Sequence, residues 1–143
     1  MDKTPSDLTR FCNDAAPQGL LRGVMQFNRG EYFPCHETLE ELWMAEEEPI
    51  RCLYQGILQI AVAIHHWRRE NYRGSVALLV SGREKLVSLP DVCRQVDISV
   101  LRTDVADLLQ RIEELGPEQM AQLGQEDIPK IHLHPRPTGR EHR

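Results

Sequence analysis

Apolar side chains recur every three or four positions along most of this chain, with polar ones in the intervals, which is the rhythm of amphipathic helices. Pro17 is followed by Leu20, Leu21, Val24, Met25 and Phe27 at that spacing, and the run closes at Asn28-Arg29-Gly30, where glycine takes the left-handed conformation that stops a helix. After a connector of Glu31-Tyr32-Phe33, Pro34 suits the first position of a second helix, since its missing N–H would lack a partner there anyway. Cys35, Leu39, Leu42 and Trp43 give this helix an inward face, and Glu46-Glu47-Glu48-Pro49 ends it. Pro49 and Ile50 open a third helix that runs to about Glu70 and is apolar almost all round, the pattern of a central, buried element. Asn71-Tyr72-Arg73-Gly74 reads as a turn, and Val76, Leu79, Val80, Leu86 and Val87 predict a fourth helix ending before Pro90. A looser stretch, Asp91 to Asp97, leads to a fifth helix with Val100, Leu101, Val105, Leu108, Leu109, Ile112 and Leu115 on its stripe, stopped by Gly116-Pro117.

The ends are less patterned. Residues 1–16 form an arm in which Ser6 offers an N-cap oxygen for a short helix through Leu8, Phe11 and Cys12. Residues 117–143 read as a proline-rich tail, extended over Ile128 to Pro137 and disordered from Thr138. No β-alternation of convincing length occurs, so the expected architecture is all-α: a single compact bundle of about five helices over residues 17–116, with short antiparallel connections. Gly30 and Gly74 sit at two hairpin turns, yet no repeat signature at a fixed period accompanies them.

Composition narrows the class. A chain of 143 residues buries about 68–70% of its unfolded surface, enough for a core without staples. Cys12, Cys35, Cys52 and Cys93 are far apart, and Met1 is followed by Asp-Lys-Thr-Pro, which suggests neither a zinc knuckle nor a secretory leader. Reduced thiols in a cytoplasm are the expectation. A net charge of −5 argues against nucleic acid as a partner. Gly56 to Ile64, the longest strongly apolar run, is too short to span a membrane.

Against this scaffold one group of polar residues stands out. His36 and Glu40, four apart, project from one side of the second helix beside Leu39 and Trp43, whereas Glu37 and Glu41 lie further out. On the third helix Gln55, Gln59 and His66 form one polar stripe, and buried amides and imidazoles require partners. The second and third helices are therefore expected to meet along His36, Glu40, Gln55, Gln59 and His66. One reading is a pocket with His36, Glu40 and His66 as ligands of a divalent transition metal, and Gln55 and Gln59 supporting them or holding a small ligand. Glu40, or Glu37 at the rim, would then serve as general base toward a bound water in a hydrolysis. The other reading is a satisfied polar network that fixes helix register within a module recruiting a protein partner. H-E-T-L-E lacks the second histidine of H-E-x-x-H, and no Glu-x-x-His occurs on either helix, so no established metal signature is met.

Lesser candidates have bland readings. His65 lies off the stripe as an edge residue, and His132-x-His134 is incidental in a proline-rich tail. Cys35 and Cys52 read as small buried hydrophobes, Tyr32, Phe33, Trp43 and Trp67 as core aromatics, and Ser75 and Ser81 lack a nucleophile elbow.

Three segments together, F-N-R-G-E-Y-F-P-C-H-E-T-L-E-E-L-W (Phe27 to Trp43), Y-Q-G-I-L-Q-I-A-V-A-I-H-H-W (Tyr54 to Trp67) and N-Y-R-G-S (Asn71 to Ser75), resemble domain-of-unknown-function family 309, over about Leu20 to Leu89. The resemblance implies an all-helical fold. It also implies that Asn28, Gly30, Phe33, His36, Glu37, Glu40, Trp43, Gln55, Gly56, Gln59 and Gly74 belong together; it implies no activity. Small-molecule and protein partners, and a homo-oligomer, stay open.

Overall fold

The computed structural model describes residues 5–135. Its elements are α1 (Pro5–Cys12), α2 (Gln18–Asn28), α3 (Tyr32–Ala45), α4 (Arg51–Arg68), α5 (Tyr72–Leu86), β1 (Val92–Cys93), β2 (Val96–Asp97) and α6 (Ile98–Leu115), followed by 3-10 turns over Pro117–Gln122 and Gln125–Asp127. The protein is all-α apart from this small antiparallel ladder. The five helices expected from periodicity are α2 to α6, and the arm contains α1. No helix among the described residues is long and apolar enough to cross a membrane. The reading of Arg136, Pro137 and the last six residues falls outside the described part.

Helices α2 and α3, and then α4 and α5, form two antiparallel hairpins that share one design. In the first, Gly30 (φ 80°) takes the left-handed position, the Gly30 N–H donates to Phe27 O and the Glu31 N–H to Gln26 O. In the second, Glu70 (φ 61°) takes that position, the Glu70 N–H donates to Trp67 O and the Asn71 N–H to His66 O. Both are Schellman turns. Around them Leu20, Gly23, Val24, Cys35 and Leu39 have buried counterparts in Ile60, Ala63, Ile64, Ser75 and Leu79 at a constant interval of 40 residues. The chain thus contains a repeat of burial and backbone, where the letters alone showed none. The Schellman turn uses Arg29, Gly30 and Glu31 as the whole connection, so α3 begins at Tyr32 rather than Pro34.

Helix α4 is the central element, as its composition predicts: Leu53, Tyr54, Ile57, Ile60, Ala61, Ala63 and Ile64 are all buried. Each fully buried Leu or Ile contributes about 1.5–3 kcal/mol relative to exposure. It begins at Arg51, Pro49 and Ile50 lying in the preceding turn. Glycine allows α4 and α5 to approach closely, because a Cβ added to Gly82 would stand 2.9 Å from Gly56 O and 2.9 Å from Ile60 Cγ1. Where α2 crosses α3, Gly23, whose counterpart is Ala63, faces the side chain of Leu39.

The stretch Asp91 to Asp97, expected as a loose connector, is a β-hairpin whose two turn residues, Arg94 (φ 47°) and Gln95 (φ 72°), are both left-handed. A two-residue turn of this kind ordinarily uses Asn-Gly. Here tertiary bonds hold it. The Arg94 N–H donates to Cys12 O (2.7 Å), its Nε to Phe11 O (2.9 Å) and its Nη1 to the Tyr54 hydroxyl (2.7 Å). Gln95 Oε1 accepts from the Ala16 N–H at 2.9 Å, and Gln95 O accepts from the His134 N–H at 2.7 Å. Leu133 pairs with Val96, and Met120, Leu123, Ile128 and Ile131 beyond Gly116 are buried. The expectation of four reduced thiols is corrected as well: Cys12 and Cys93 are disulfide-bonded, whereas Cys35 and Cys52 are free.

Candidate functional site

Two contacts set the register of α3 against α4. Near one end the Phe33 ring lies 5.5 Å from that of His65, and near the other the Arg51 guanidinium sits 4.6 Å over Trp43. Between these anchors the antiparallel register puts Glu40 level with Gln55. Phe33, read as a core aromatic, is half exposed (50%), and its ring also lies 5.7 Å from that of His36. It lies in the first turn of α3, one turn before His36, on the flank turned from the buried side that Cys35 and Leu39 occupy.

The polar groups of this seam have few internal partners. His36 Nδ1 and Arg51 Nε are out of reach of water and have no hydrogen-bond partner among the described residues. Glu40 and Gln55, both half-buried, likewise form no hydrogen bond or ion pair there, and Glu37 is exposed at the rim. His36 and Glu40 project together, as expected, without bonding to one another.

The other half of the expected cluster faces elsewhere. Gln55, Gln59 and His66 do form one half-buried stripe on α4, but Gln59 and His66 are engaged by α5 and its N-cap. Gln59 Oε1 accepts from the Ser81 hydroxyl at 2.8 Å, and that oxygen accepts from Lys85 Nζ at 3.3 Å. Asn71 caps α5 by accepting from the Gly74 N–H at 3.0 Å, which turns its Nδ2 toward His66 Nδ1 at 3.3 Å. A helical wheel gives the direction of a side chain on its own helix but not which neighbour stands there. Among the described residues, no three His, Cys, Asp or Glu side chains are gathered to hold a metal ion. His134 Nε2 lies 3.0 Å from Asp97 Oδ2, and His132 O accepts from the Asp97 N–H, so the tail histidines serve the hairpin.

Electrostatics distinguishes the Phe33 end. Burial pushes the pKa of His65 down, and the positive groups of Arg69, His66, Arg68 and His36 push it the same way. Arg69 forms no ion pair among the described residues. Burial raises the Cys35 thiol to about 12 and raises Cys52 too, the state of inert sulfhydryls rather than nucleophiles. Asp97 is held below its ordinary value, chiefly by the Val100 N–H it accepts and also by His134.

Sequence reasoning missed Phe33, His65 and Arg51 as members of the seam. The signal was available: Phe33 is one turn from His36, and an antiparallel hairpin joined near Pro49 places the end of α4 beside the start of α3.

Residues 20–78 match the model of the family described as Domain of unknown function (DUF309), which bears out the resemblance while ending at Leu78 rather than Leu89. The chain is 42% identical over 67 residues to the "Uncharacterized protein YpuF" of Bacillus subtilis (strain 168), covering 46% of this chain and 38% of that one. It is 24% identical over 95 residues to an "Uncharacterized protein" of Aquifex aeolicus (strain VF5), covering 66% and 28% respectively. The chain therefore spans less than two fifths of either relative. Both the seam and its α5-facing counterpart up to Asn71 lie inside the matched segment.

Proposed function

We propose that this is a helical protein-interaction module whose α3–α4 seam receives a segment of a partner protein. The observation that carries it is the row of polar groups left without internal partners, His36 Nδ1, Glu40, Gln55 and Arg51 Nε, beside the half-exposed ring of Phe33. Half-buried polar groups are ordinarily paired, and Glu40 and Gln55, unpaired yet reaching the surface, are the groups a docking segment completes, whereas His36 Nδ1 and Arg51 Nε are closed to it. From Phe33 to Trp43 the row is about 15 Å long at the helical rise, the size of a short peptide segment rather than of one ion. Phe33 supplies the apolar anchor and the amide, carboxylate and guanidinium groups fix orientation. The metal reading draws on His36 and Glu40 alone and the small-ligand reading adds only Gln55, since Gln59 and His66 have other partners. This reading sets the chain in a cytoplasm, where it meets its partner with Cys35 and Cys52 reduced.

A photo-crosslinking residue in place of Glu37, at the rim, tests the proposal in cells, with one in place of exposed Arg111 on α6 as control. A discrete adduct formed from position 37 and not 111, and lost on Gln55→Ala, is the expected result. Adducts no different from the control would overturn it. Stoichiometric metal in untagged protein, lost on His36→Ala, would overturn it in favour of a metal site.

A further inference from the structure

The Cys12–Cys93 bond joins residues separated by 81 positions, and the loop it closes contains the whole family-matched segment 20–78. Both cysteines lie outside that segment. The long-range polar attachments of residues 11–16 run to the turn beside Cys93: Phe11 O and Cys12 O accept from Arg94, and the Ala16 N–H donates to Gln95. The same turn receives the His134 N–H, and Val96 pairs with Leu133. One disulfide thus fastens α1, the hairpin and the segment Ile131–His134 at a common point.

We propose that Cys12 and Cys93 form a site of reversible thiol–disulfide exchange, a clasp whose substrates are dithiol reductants and small disulfides. Three observations support exchange over a permanent staple. First, α1 has only eight residues, too short to persist as an isolated helix, so it opens locally while the bundle stays folded. That opening is needed because Cys12 is 4% and Cys93 0% exposed. Second, Arg94 follows Cys93 and donates from its Nε to Phe11 O and from its backbone N–H to Cys12 O, bonds that return the two cysteines to each other for re-formation of the disulfide when α1 closes. Third, Cys35 is fully buried and Cys52 half-buried, and burial pushes both thiols up, Cys35 to about 12, so they do not scramble the pair.

In reduction, a thiolate of the dithiol attacks Cys12 Sγ, the S–S bond breaks, and its electron pair leaves on Cys93 Sγ, which takes a proton. The second thiol of the reductant attacks the mixed disulfide and releases Cys12. Two electrons and two protons pass to the protein, and the reductant departs as a disulfide. A small disulfide reverses both steps.

The test uses the full chain and dithiothreitol as reductant under native conditions. After each native treatment is stopped with acid, alkylation in denaturant should count two thiols in the oxidised protein, four after reduction, and two again after oxidised glutathione. Amide hydrogen exchange over residues 8–16 and 131–134 should accelerate at least about tenfold on reduction, while residues 57–64 of α4 keep their protection. The Cys12→Ser/Cys93→Ser double variant should match the reduced protein. Four thiols throughout, a bond reducible only after denaturation, equal exchange in both redox states, or loss of protection in α4 on reduction would each overturn the proposal.

Discussion

The two hairpins have one backbone plan and treat their polar residues in opposite ways. On the face of α4 turned to α5, the amide of Gln59 and the imidazole of His66 are bonded within the hairpin, to Ser81 and Asn71. On α3, which faces α4 across the seam, His36 and Glu40 have no such partners. Two units solving the same packing problem need not differ in this respect. The difference locates the part of the molecule free to engage something else, and each variant below tests whether the two hairpins are equivalent where the structure says they are.

Their crossings should respond most strongly. At Gly82 an added methyl meets the Gly56 carbonyl oxygen and Ile60, so the helices must separate; Gly82→Ala should destabilise by about 2 kcal/mol even after gaining about 1 kcal/mol of helix propensity. At Gly23 the obstacle is the Leu39 side chain, with Cδ2 at 2.6 Å and Cγ at 2.8 Å. Gly23→Ala should therefore cost about 1 kcal/mol net and couple favourably to Leu39→Val in a double-mutant cycle. Urea unfolding decides; equal costs with no coupling would mean that the two crossings are not built as described.

The turns come next. Gly30→Ala places a Cβ on a left-handed residue and should cost about 1–2 kcal/mol, while Glu70→Gly, which relieves the same conformation in the second hairpin, should stabilise by about 1 kcal/mol. Opposite signs of the shift in melting temperature confirm the equivalence of the turns, and like signs refute it.

How much of this was legible beforehand follows from what is local. Helices α2 to α6 were readable because the spacing of Leu20, Val24 and Phe27, or of Leu101, Val105 and Leu108, is itself the evidence for a helix. The hairpin at Arg94-Gln95 was not, because its positive φ angles are held by Phe11, Cys12, Ala16, Tyr54 and His134, which are distant in sequence. The repeat escaped because it preserves burial and backbone rather than identity: Leu20 corresponds to Ile60, Cys35 to Ser75, and left-handed Gly30 to left-handed Glu70. Of the candidate site, the direction of His36 and Glu40 was readable from helical geometry. The allegiance of Gln59 and His66 to α5 required knowing which helices flank α4 on each side.

A smaller effect is expected at Ser75, the one buried polar residue among the described residues, whose hydroxyl has no partner there. Its counterpart in the first hairpin is Cys35, also fully buried. An unsatisfied buried hydroxyl costs about 1–3 kcal/mol, part of which is recovered when the group is removed. Ser75→Cys, which copies the first hairpin, should stabilise by up to about 1 kcal/mol in chemical denaturation. Destabilisation would mean that the hydroxyl is satisfied in solution and that the two sites differ in kind.

The smallest effect bears most directly on function. A buried Glu40 in an internal network would cost several tenths to a few kcal/mol on truncation, because its partner would be left unsatisfied. With no partner among the described residues, Glu40→Ala and Gln55→Ala should each change stability by less than about 0.5 kcal/mol, the range of ordinary surface substitutions. Gln59→Ala, which strips the Ser81 hydroxyl of its acceptor in the closed hairpin, should cost more than either. Residues whose side chains fold does not need, on a seam whose other polar atoms lack partners, are available for recognition. Thermal denaturation of the three variants therefore discriminates, and a loss at Glu40 or Gln55 as large as that at Gln59 would make the seam a structural network like its neighbour.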